Sequence, residues 1–347
     1  WNEAEEVDSD WLESYRALYH SIKERRKFIP VDVLDVLEDV EPIDESSARK
    51  IIPNKMQNAA LLELNRFRSN GEKRAILIAA TGTGKTYLAA FDVFQVKPKK
   101  VLYIVNRETI LRKSEESFKV ILGKNIKTGF LTGNERTTDC DYLFASCFTL
   151  AREETLKSFP KKYFDYVIVD EVHHSGAQTY QKIIDYFEPE FLLGLTATPE
   201  RTDGFDIFKF FDYNIASNIR LKDALEANLL CPFHYYGVTD LTVNNEEIDD
   251  RTDFNKLVCS ERLAHIKEAI TLYSNNSEPR KGLIFCSRKE EGEKLSTGLN
   301  RLGFNTMFLS GDDKEEGREK AISRLESDTD PLEYLITVNI FNEGIDI

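Results

Sequence analysis

The 347-residue sequence is short of cysteine, histidine and positive charge, and it lacks any long apolar run. Its five cysteines (Cys140, Cys147, Cys231, Cys259 and Cys286) form no CxxC pair. An odd count does not suit a disulfide framework, so a reduced, cytoplasmic setting is the simpler reading. No stretch approaches the roughly 18 consecutive apolar residues that a membrane helix needs, so no membrane partner is expected. Of the five histidines only His173 and His174 adjoin acids, and further ligands at the spacing of a metal site are missing. Lysine and arginine number 46 against 60 acids, a net charge of −14. Such a field repels anionic polymers, so any nucleic-acid function must come from local features rather than from a basic surface. The imbalance is concentrated at the start, where residues 1–50 hold 14 acids and 7 bases. This leader has neither the basic start nor the apolar core of a secretory signal, which argues against export. The first residue is Trp1 rather than Met, and a piece of a longer protein is the expectation.

What is present is enough apolar material, 41% of the residues, for two cores at roughly 100–200 residues per domain. From about residue 74, short β-rich runs alternate with amphipathic helical stretches, the pattern of a parallel sheet covered by helices. RAILIAA (74–80), KVLYIVN (100–106), YLFAS (142–146), FDYVIVD (164–170) and FLLGLTA (191–197) are nearly continuous apolar segments, as expected of strands buried on both faces. After a mixed stretch, 216–260, the pattern restarts with GLIFCS (282–287), TMFLSG (306–311) and YLITVN (334–339). Two α/β units in series follow. The polar, acidic run 240–254 reads as a connection, and residues 10–28 carry apolar residues at helical spacing.

The sharpest chemical signal is AATGTGKT at 79–86, between a strand and a helical run. Gly82 and Gly84 let the backbone turn so that the N–H groups of Thr81 to Gly84 converge on phosphate oxygens, and the following helix adds its positive end. Lys85 would reach the β- and γ-phosphates, and the Thr86 hydroxyl would ligate Mg²⁺. The strict pattern starts with Gly where this chain has Ala79. At the end of the fourth strand stand Asp170 and Glu171, at the carboxyl edge of the same sheet. Asp170 would hold Mg²⁺ through its water shell, and Glu171 would orient and deprotonate the water attacking the γ-phosphate.

With DEVH at 170–173, the sequence resembles the superfamily 2 helicases and translocases, in which this is the DExH form of motif II. Further motifs fall in order. Gln57 looks like the adenine-reading glutamine ahead of the phosphate loop. VNRETIL (105–111) is similar to motif Ia, with Arg107 near a nucleic-acid phosphate. LTATPERTDG (195–204) resembles motif III, where Thr196 and Thr198 would couple hydrolysis to nucleic-acid contact through His173. GLIFCSR (282–288) is similar to motif IV. TVNIFNEGIDI (337–347) resembles motif V, which implies Asp346 near the ribose and Gly344 near nucleic acid. FLLGLTATPERTDGFDIF with ANLLCPFHYYGV narrows the resemblance to bacterial helicases related to the type III restriction helicase subunit.

The resemblance implies an α/β chain with two RecA-like lobes on mainly parallel sheets, the second incomplete. The expected division is an acidic helical segment over 1–48, a first, ATP-binding lobe over 49–235, a linker over 236–260 and part of a second lobe over 261–347. The implied cofactors are ATP and Mg²⁺, with hydrolysis between the two lobes. The implied partner is DNA, single- or double-stranded, with RNA as the alternative, and a nuclease domain or subunit is a further implied partner. Two functional readings stay open: an ATP-driven helicase or translocase acting in restriction, defence or repair, and an ATP-gated binding subunit that recruits a nuclease without processive unwinding. The family completes its ATP site with motif VI, beyond motif V, whose arginine finger is worth roughly 10³–10⁵ in rate. The sequence in hand stops at Ile347, so the 347-residue chain is expected to bind ATP and Mg²⁺ but to hydrolyse ATP poorly. Nucleic-acid-stimulated turnover of about 1 s⁻¹ or faster would overturn this expectation.

Overall fold

Strands buried on both faces need helices above and below, and the computed structural model of the chain is built this way. It describes residues 51–172, 178–199, 206–236, 242–243, 246–247, 260–273, 280–313, 315–327, 329, 332–338 and 340. The acidic leader, most of the expected linker, His173, Gly344 and Asp346 lie outside the described residues. The chain divides into two units, one up to Pro232 and one from Phe233.

In the first unit the helix α1 (Lys55–Ser69) precedes β1 (Arg74–Ala79), α2 (Lys85–Val96), β2 (Val101–Val105), α3 (Glu108–Leu122) and β3 (Thr128–Leu131). Then come β4 (Tyr142–Ser146), the short helices α4 (Cys147–Leu150) and α5 (Glu153–Lys157), and β5 (Tyr166–Val169). The unit ends with α6 (Gln178–Tyr186), β6 (Phe191–Thr196), α7 (Ile207–Phe210), β7 (Ile215–Ile219) and α8 (Leu221–Glu226). The seven strands form one parallel sheet in the order β3-β4-β2-β5-β6-β1-β7. Alternate side chains of each strand enter opposite cores. Leu77, Tyr103, Ile168 and Leu193 join the core shared with α1, α2 and α3. Ile76, Leu102, Val167 and Leu192 join the core that holds Leu150, Leu156, Tyr180 and Ile183.

The five apolar segments read from the sequence are the five inner strands. The structure adds β3 and β7 at the two edges. The first is only four residues long, and the second is largely half-buried, so neither carries the continuous apolar run that marks a central strand.

One ion pair, with its aspartate buried and its arginine partly exposed, ties the helical layer to the sheet. The Arg68 guanidinium on α1 donates two hydrogen bonds to the carboxylate of Asp92 on α2, at 2.8 and 2.6 Å. The Tyr166 hydroxyl on β5 donates to the same carboxylate. The guanidinium lies 4.9 Å from the Phe191 ring centroid, an additional cation–π contact. Burial opposes the Arg68 charge, but the hydrogen bonds and charge of Asp92 prevail and raise its pKa.

The second unit repeats the theme on a smaller scale. It contains a two-residue antiparallel pairing of β8 (Thr242–Val243) with β9 (Glu246–Glu247), then α9 (Ser260–Tyr273), β10 (Gly282–Phe285), α10 (Lys289–Arg301), β11 (Thr306–Ser310), α11 (Glu315–Glu326) and β12 (Tyr334–Val338). The parallel sheet runs β10-β12-β11. Leu335 and Ile336, adjacent in β12, belong to different cores on its two faces. Arg262 on α9 donates to the buried Glu291 on α10 at 2.7 Å.

Removing the partner of a buried charge leaves that charge uncompensated. Arg68→Ala is therefore expected to destabilise the first unit by about 3–5 kcal/mol, and Arg68→Met with Asp92→Leu by much less. Urea unfolding of both variants checks this, and a single substitution within about 0.5 kcal/mol of wild type would show that the pair is not the tie.

Candidate nucleotide-binding and catalytic site

β1 ends at Ala79, and the chain turns sharply before α2 begins at Lys85. Gly82 and Gly84 have φ of +82° and +83°, the left-handed region that a side chain disfavours. Space reinforces the requirement at Gly84, where a Cβ would lie 2.8 Å from Gln57 Nε2. Thr83 closes the loop, its hydroxyl donating to the Ala80 carbonyl at 2.6 Å. Because α2 has glycine at its N-cap, no side chain there caps the first turn, and that turn contains no acidic residue. The N–H groups and positive end of this twelve-residue helix are thus directed at the loop. Lys85 Nζ folds back to donate to the Ala79 carbonyl at 3.1 Å.

Gln57 meets this loop from α1. Its Nε2 donates to the Gly84 carbonyl at 3.1 Å, while its Oε1 accepts from the Asn54 backbone N–H at 2.9 Å. Asn54 Oδ1 in turn accepts from the Gln57 N–H at 2.8 Å, completing a capping box. Gln57 is therefore where the sequence places it, beside the phosphate loop, with both ends of its amide engaged by protein atoms.

At the end of β5, Asp170 is only 5% exposed. The Tyr103 hydroxyl donates to Asp170 Oδ2, and the Glu171 N–H donates to Oδ1 at 2.8 Å. Burial, followed by the neighbouring charge of Glu171, pushes Asp170 up to about 6, against the Tyr103 hydrogen bond and the charge of Lys85. Lys85 thus acts on Asp170 across the sheet edge, linking the two sharpest sequence signals. Glu171 has φ of +48°, a strained conformation for a residue with a Cβ. Burial and the Asp170 charge hold the Tyr103 phenol well above its usual range, with the Ser114 and Thr86 hydroxyls pulling the other way. Tyr103 therefore stays a neutral donor between the two expected metal-holding residues, Thr86 and Asp170. Sequence reasoning missed it, because a tyrosine inside VLYIV reads as core. Its signal is the buried phenolic tip, which needs a partner.

The sheet order explains why these groups meet. β6 lies between β5 and β1, with Thr196 in register with Ile78. Thr196 is buried, and its Oγ1 accepts from the Thr198 N–H at 3.2 Å, while Thr198 itself is exposed. Arg107 occupies the N-cap of α3, just beyond the carboxyl end of β2. Arg112, one turn on, lies 3.9 Å from the Phe130 ring centroid and pairs with Glu135 at 2.5 Å.

Among the described residues there is no group of three or more His, Cys, Asp or Glu that could hold a metal ion. One buried carboxylate beside one threonine hydroxyl and a phosphate cradle is a donor set that suits Mg²⁺, which keeps several waters and binds through few carboxylates plus substrate phosphates. The residues present fit that ion.

Residues 50–201 match the model of the family described as "Type III restriction enzyme, res subunit", and residues 261–347 match "Helicase conserved C-terminal domain". A type I restriction enzyme EcoAI endonuclease subunit of Escherichia coli is 28% identical over 288 residues, covering 71% of this chain and 35% of that protein. The putative mitochondrial ATP-dependent helicase irc3 of Schizosaccharomyces pombe is 27% identical over 302 residues, covering 82% of this chain and 48% of its own. This chain therefore spans about a third to a half of the length of these relatives. Among solved structures, the ATP-dependent Type ISP restriction-modification enzyme LlaBIII bound to DNA superposes with a TM-score of 0.62 at 17% identity, covering 86% of this chain and 25% of that one. Saccharomyces cerevisiae Dbp5 bound to RNA and ADP BeF3 gives 0.55 at 16% identity, covering 85% and 72%. At these identities the likeness is one of fold, the RecA-like α/β fold expected from the motifs. With two such models in series and these relatives, the chain resembles superfamily 2 helicases and, within them, the res subunits of type III restriction enzymes.

Proposed function

We propose that the chain is the motor portion of an ATP-dependent helicase or translocase acting on nucleic acid, with DNA as the favoured polymer. The single observation that carries this reading is the strand order β5-β6-β1, which sets Asp170 within electrostatic reach of Lys85 on the phosphate loop. Lys85 leaves the Ala79 carbonyl for the β- and γ-phosphates, and the N–H groups of Thr81 to Gly84 take the remaining phosphate oxygens. Thr86 and Asp170 hold Mg²⁺, which when bound neutralises developing charge on the transferred phosphoryl group. Glu171 orients the attacking water and accepts its proton. Gln57 ties the loop to α1 and reads the adenine edge when its amide is released from Asn54. Thr196 and Thr198 relay the state of this site to the polymer, together with His173. Arg107 contacts a backbone phosphate, and Asp346 and Gly344 serve the ribose and the polymer.

We further assign residues 49–235 to the first lobe, 236–260 to a linker and 261–347 to part of the second. The proposed compartment is the cytoplasm. The thiols of Cys140, Cys147, Cys231 and Cys286 are unbridged, and no described helix is long and apolar enough to cross a membrane.

DNA is favoured over RNA on the likeness to restriction enzymes, of which LlaBIII is bound to DNA. The likeness to an endonuclease subunit also favours a second reading, in which ATP only gates recruitment of a nuclease. Repeated stepping along DNA by the full-length protein supports the first and excludes the second.

Two outcomes test the chemistry. Lys85→Ala is expected to abolish ATP binding or hydrolysis. Glu171→Gln is expected to bind ATP while slowing its hydrolysis by about 10²–10⁴-fold, and normal turnover in this variant would show that Glu171 is not the base. The raised pKa of Asp170 gives a third outcome. Below about 6 its carboxyl is protonated in the metal-free protein, and a metal must displace that proton. Mg²⁺-dependent ATP affinity is therefore expected to rise with pH up to about 6 and level off above it, and Asp170→Asn to remove the step. Calorimetric Mg²⁺-ATP titrations between about pH 5 and pH 8 measure it, and a flat wild-type profile would contradict Asp170 as a ligand.

A further inference from the structure

The phosphate loop has two left-handed glycines, and each is met by a side chain from outside the loop. At Gly84 the Cβ position lies 2.8 Å from Gln57 Nε2, and at Gly82 it lies 3.0 Å from Leu230 Cδ2. Gln57 reaches the loop from upstream and grips it by a hydrogen bond. Leu230 belongs to the downstream run ANLLCPFHYYGV and meets Gly82 by apolar contact.

Local structure brings Leu230 to this place. β7 runs beside β1 as far as the pairing of Ile219 with Ala79, and the Ala80 N–H donates to the Ile219 carbonyl at 2.9 Å. α8 follows, with Asp223 accepting from the Arg220 N–H at 2.9 Å in its first turn. The helix ends in a Schellman turn. The Leu229 N–H donates to the Ala224 carbonyl at 2.8 Å and the Asn228 N–H to the Leu225 carbonyl at 3.1 Å, with Asn228 at a φ of +53°. Leu229 then packs against the core shared with α1, α2 and α3, and the half-buried Leu230 falls on Gly82. Cys231 and Pro232, next in the chain, are exposed. An arc that leaves the base of the loop at Ile219 thus returns to the loop at Leu230.

A glycine held by nothing outside the loop samples left- and right-handed backbone freely, and a bound phosphate must then order it. Contacts that fix the loop beforehand remove that cost and raise affinity. The Thr83 hydroxyl supplies one such contact at Ala80 and Gln57 another at Gly84. At Gly82 the contact is Leu230.

We propose that Leu230 is a positioning residue for the nucleotide: its side chain clamps the phosphate loop at Gly82 in the conformation that receives a nucleoside di- or triphosphate. This rests on the functional reading above. The clamp acts on the loop and not on the hydrolytic step, so it serves ATP and ADP alike.

The test measures Mg²⁺-ATP and Mg²⁺-ADP binding by calorimetry, and turnover at saturating nucleic acid, in the full-length protein and its Leu230→Ala, Leu230→Met and Leu229→Ala variants. Leu230→Ala is expected to weaken both nucleotides by about tenfold and to leave kcat within about twofold of wild type. Leu230→Met, which keeps the apolar volume, is expected to bind within about twofold of wild type. Leu229→Ala, which removes core packing instead, is expected to lower the unfolding midpoint without a comparable loss of affinity. Affinity of Leu230→Ala within about twofold of wild type would overturn the proposal. A gain in affinity would overturn it too, by showing that the side chain obstructs the loop. So would a fall in kcat without loss of affinity, a loss as large in Leu230→Met, or an equal loss in Leu229→Ala. Wild-type protein that binds neither nucleotide would overturn the functional reading and this inference together. Normal wild-type binding with an unaffected Leu230→Ala would overturn this inference alone.

Discussion

A parallel sheet covered on both faces has no wet side, and this constraint organises the first unit. Each central strand must be apolar along its length, so polar chemistry is expelled to the strand ends. At the carboxyl ends the chain leaves the sheet in short turns, and those turns carry Thr81 to Thr86, Asp170, Glu171 and Thr196. Strand order then decides which turns are neighbours. With β6 between β5 and β1, the acidic turn and the phosphate loop flank Thr196. The same chemistry on strands in another order would be scattered along a seven-stranded edge.

Two buried aspartates show how environment divides one residue type between structure and chemistry. Each accepts a hydrogen bond from a buried tyrosine on a central strand, Tyr166 for Asp92 and Tyr103 for Asp170. Asp92 also receives a bidentate guanidinium from Arg68, which spends its charge on joining α1, α2 and β5. Asp170 has instead a backbone N–H, a like charge beside it and Lys85 acting through charge alone, and its pKa rises to about 6. A cation is the group that this environment lacks. The contrast explains why only Asp170, of these two, suits a metal, and why Tyr103 matters as the neutral donor that keeps its carboxylate oriented.

Gln57 illustrates economy of a different kind. Through one amide it caps α1 with Asn54 and grips the Gly84 carbonyl. The start of α1 and the phosphate loop are thereby a single hydrogen-bonded unit. Any group that draws on one end of that amide must disturb the other, so the helix start and the loop geometry are linked through Gln57.

Much of this was legible in the residues themselves. The five central strands announced themselves as continuous apolar runs, because burial on both faces leaves no other composition. The glycine-rich loop was legible because glycine is the residue that favours the positive φ found at Gly82 and Gly84, and the acids because they stand where an apolar run ends. Edge strands β3 and β7 were not legible, since half-burial and four or five residues leave no distinctive pattern. Neither was the use of Tyr103, Arg68 or Asp92. A tyrosine in a strand or an aspartate in a helix has the same local signature whether its polar tip meets solvent, a guanidinium or a catalytic acid. The order of strands, and hence which tips meet, depends on packing between segments distant in sequence. Local residue chemistry therefore determined that the chain would hold a glycine-rich loop and acids at strand ends, while only tertiary packing decided which buried hydroxyl and which charge each acid would face.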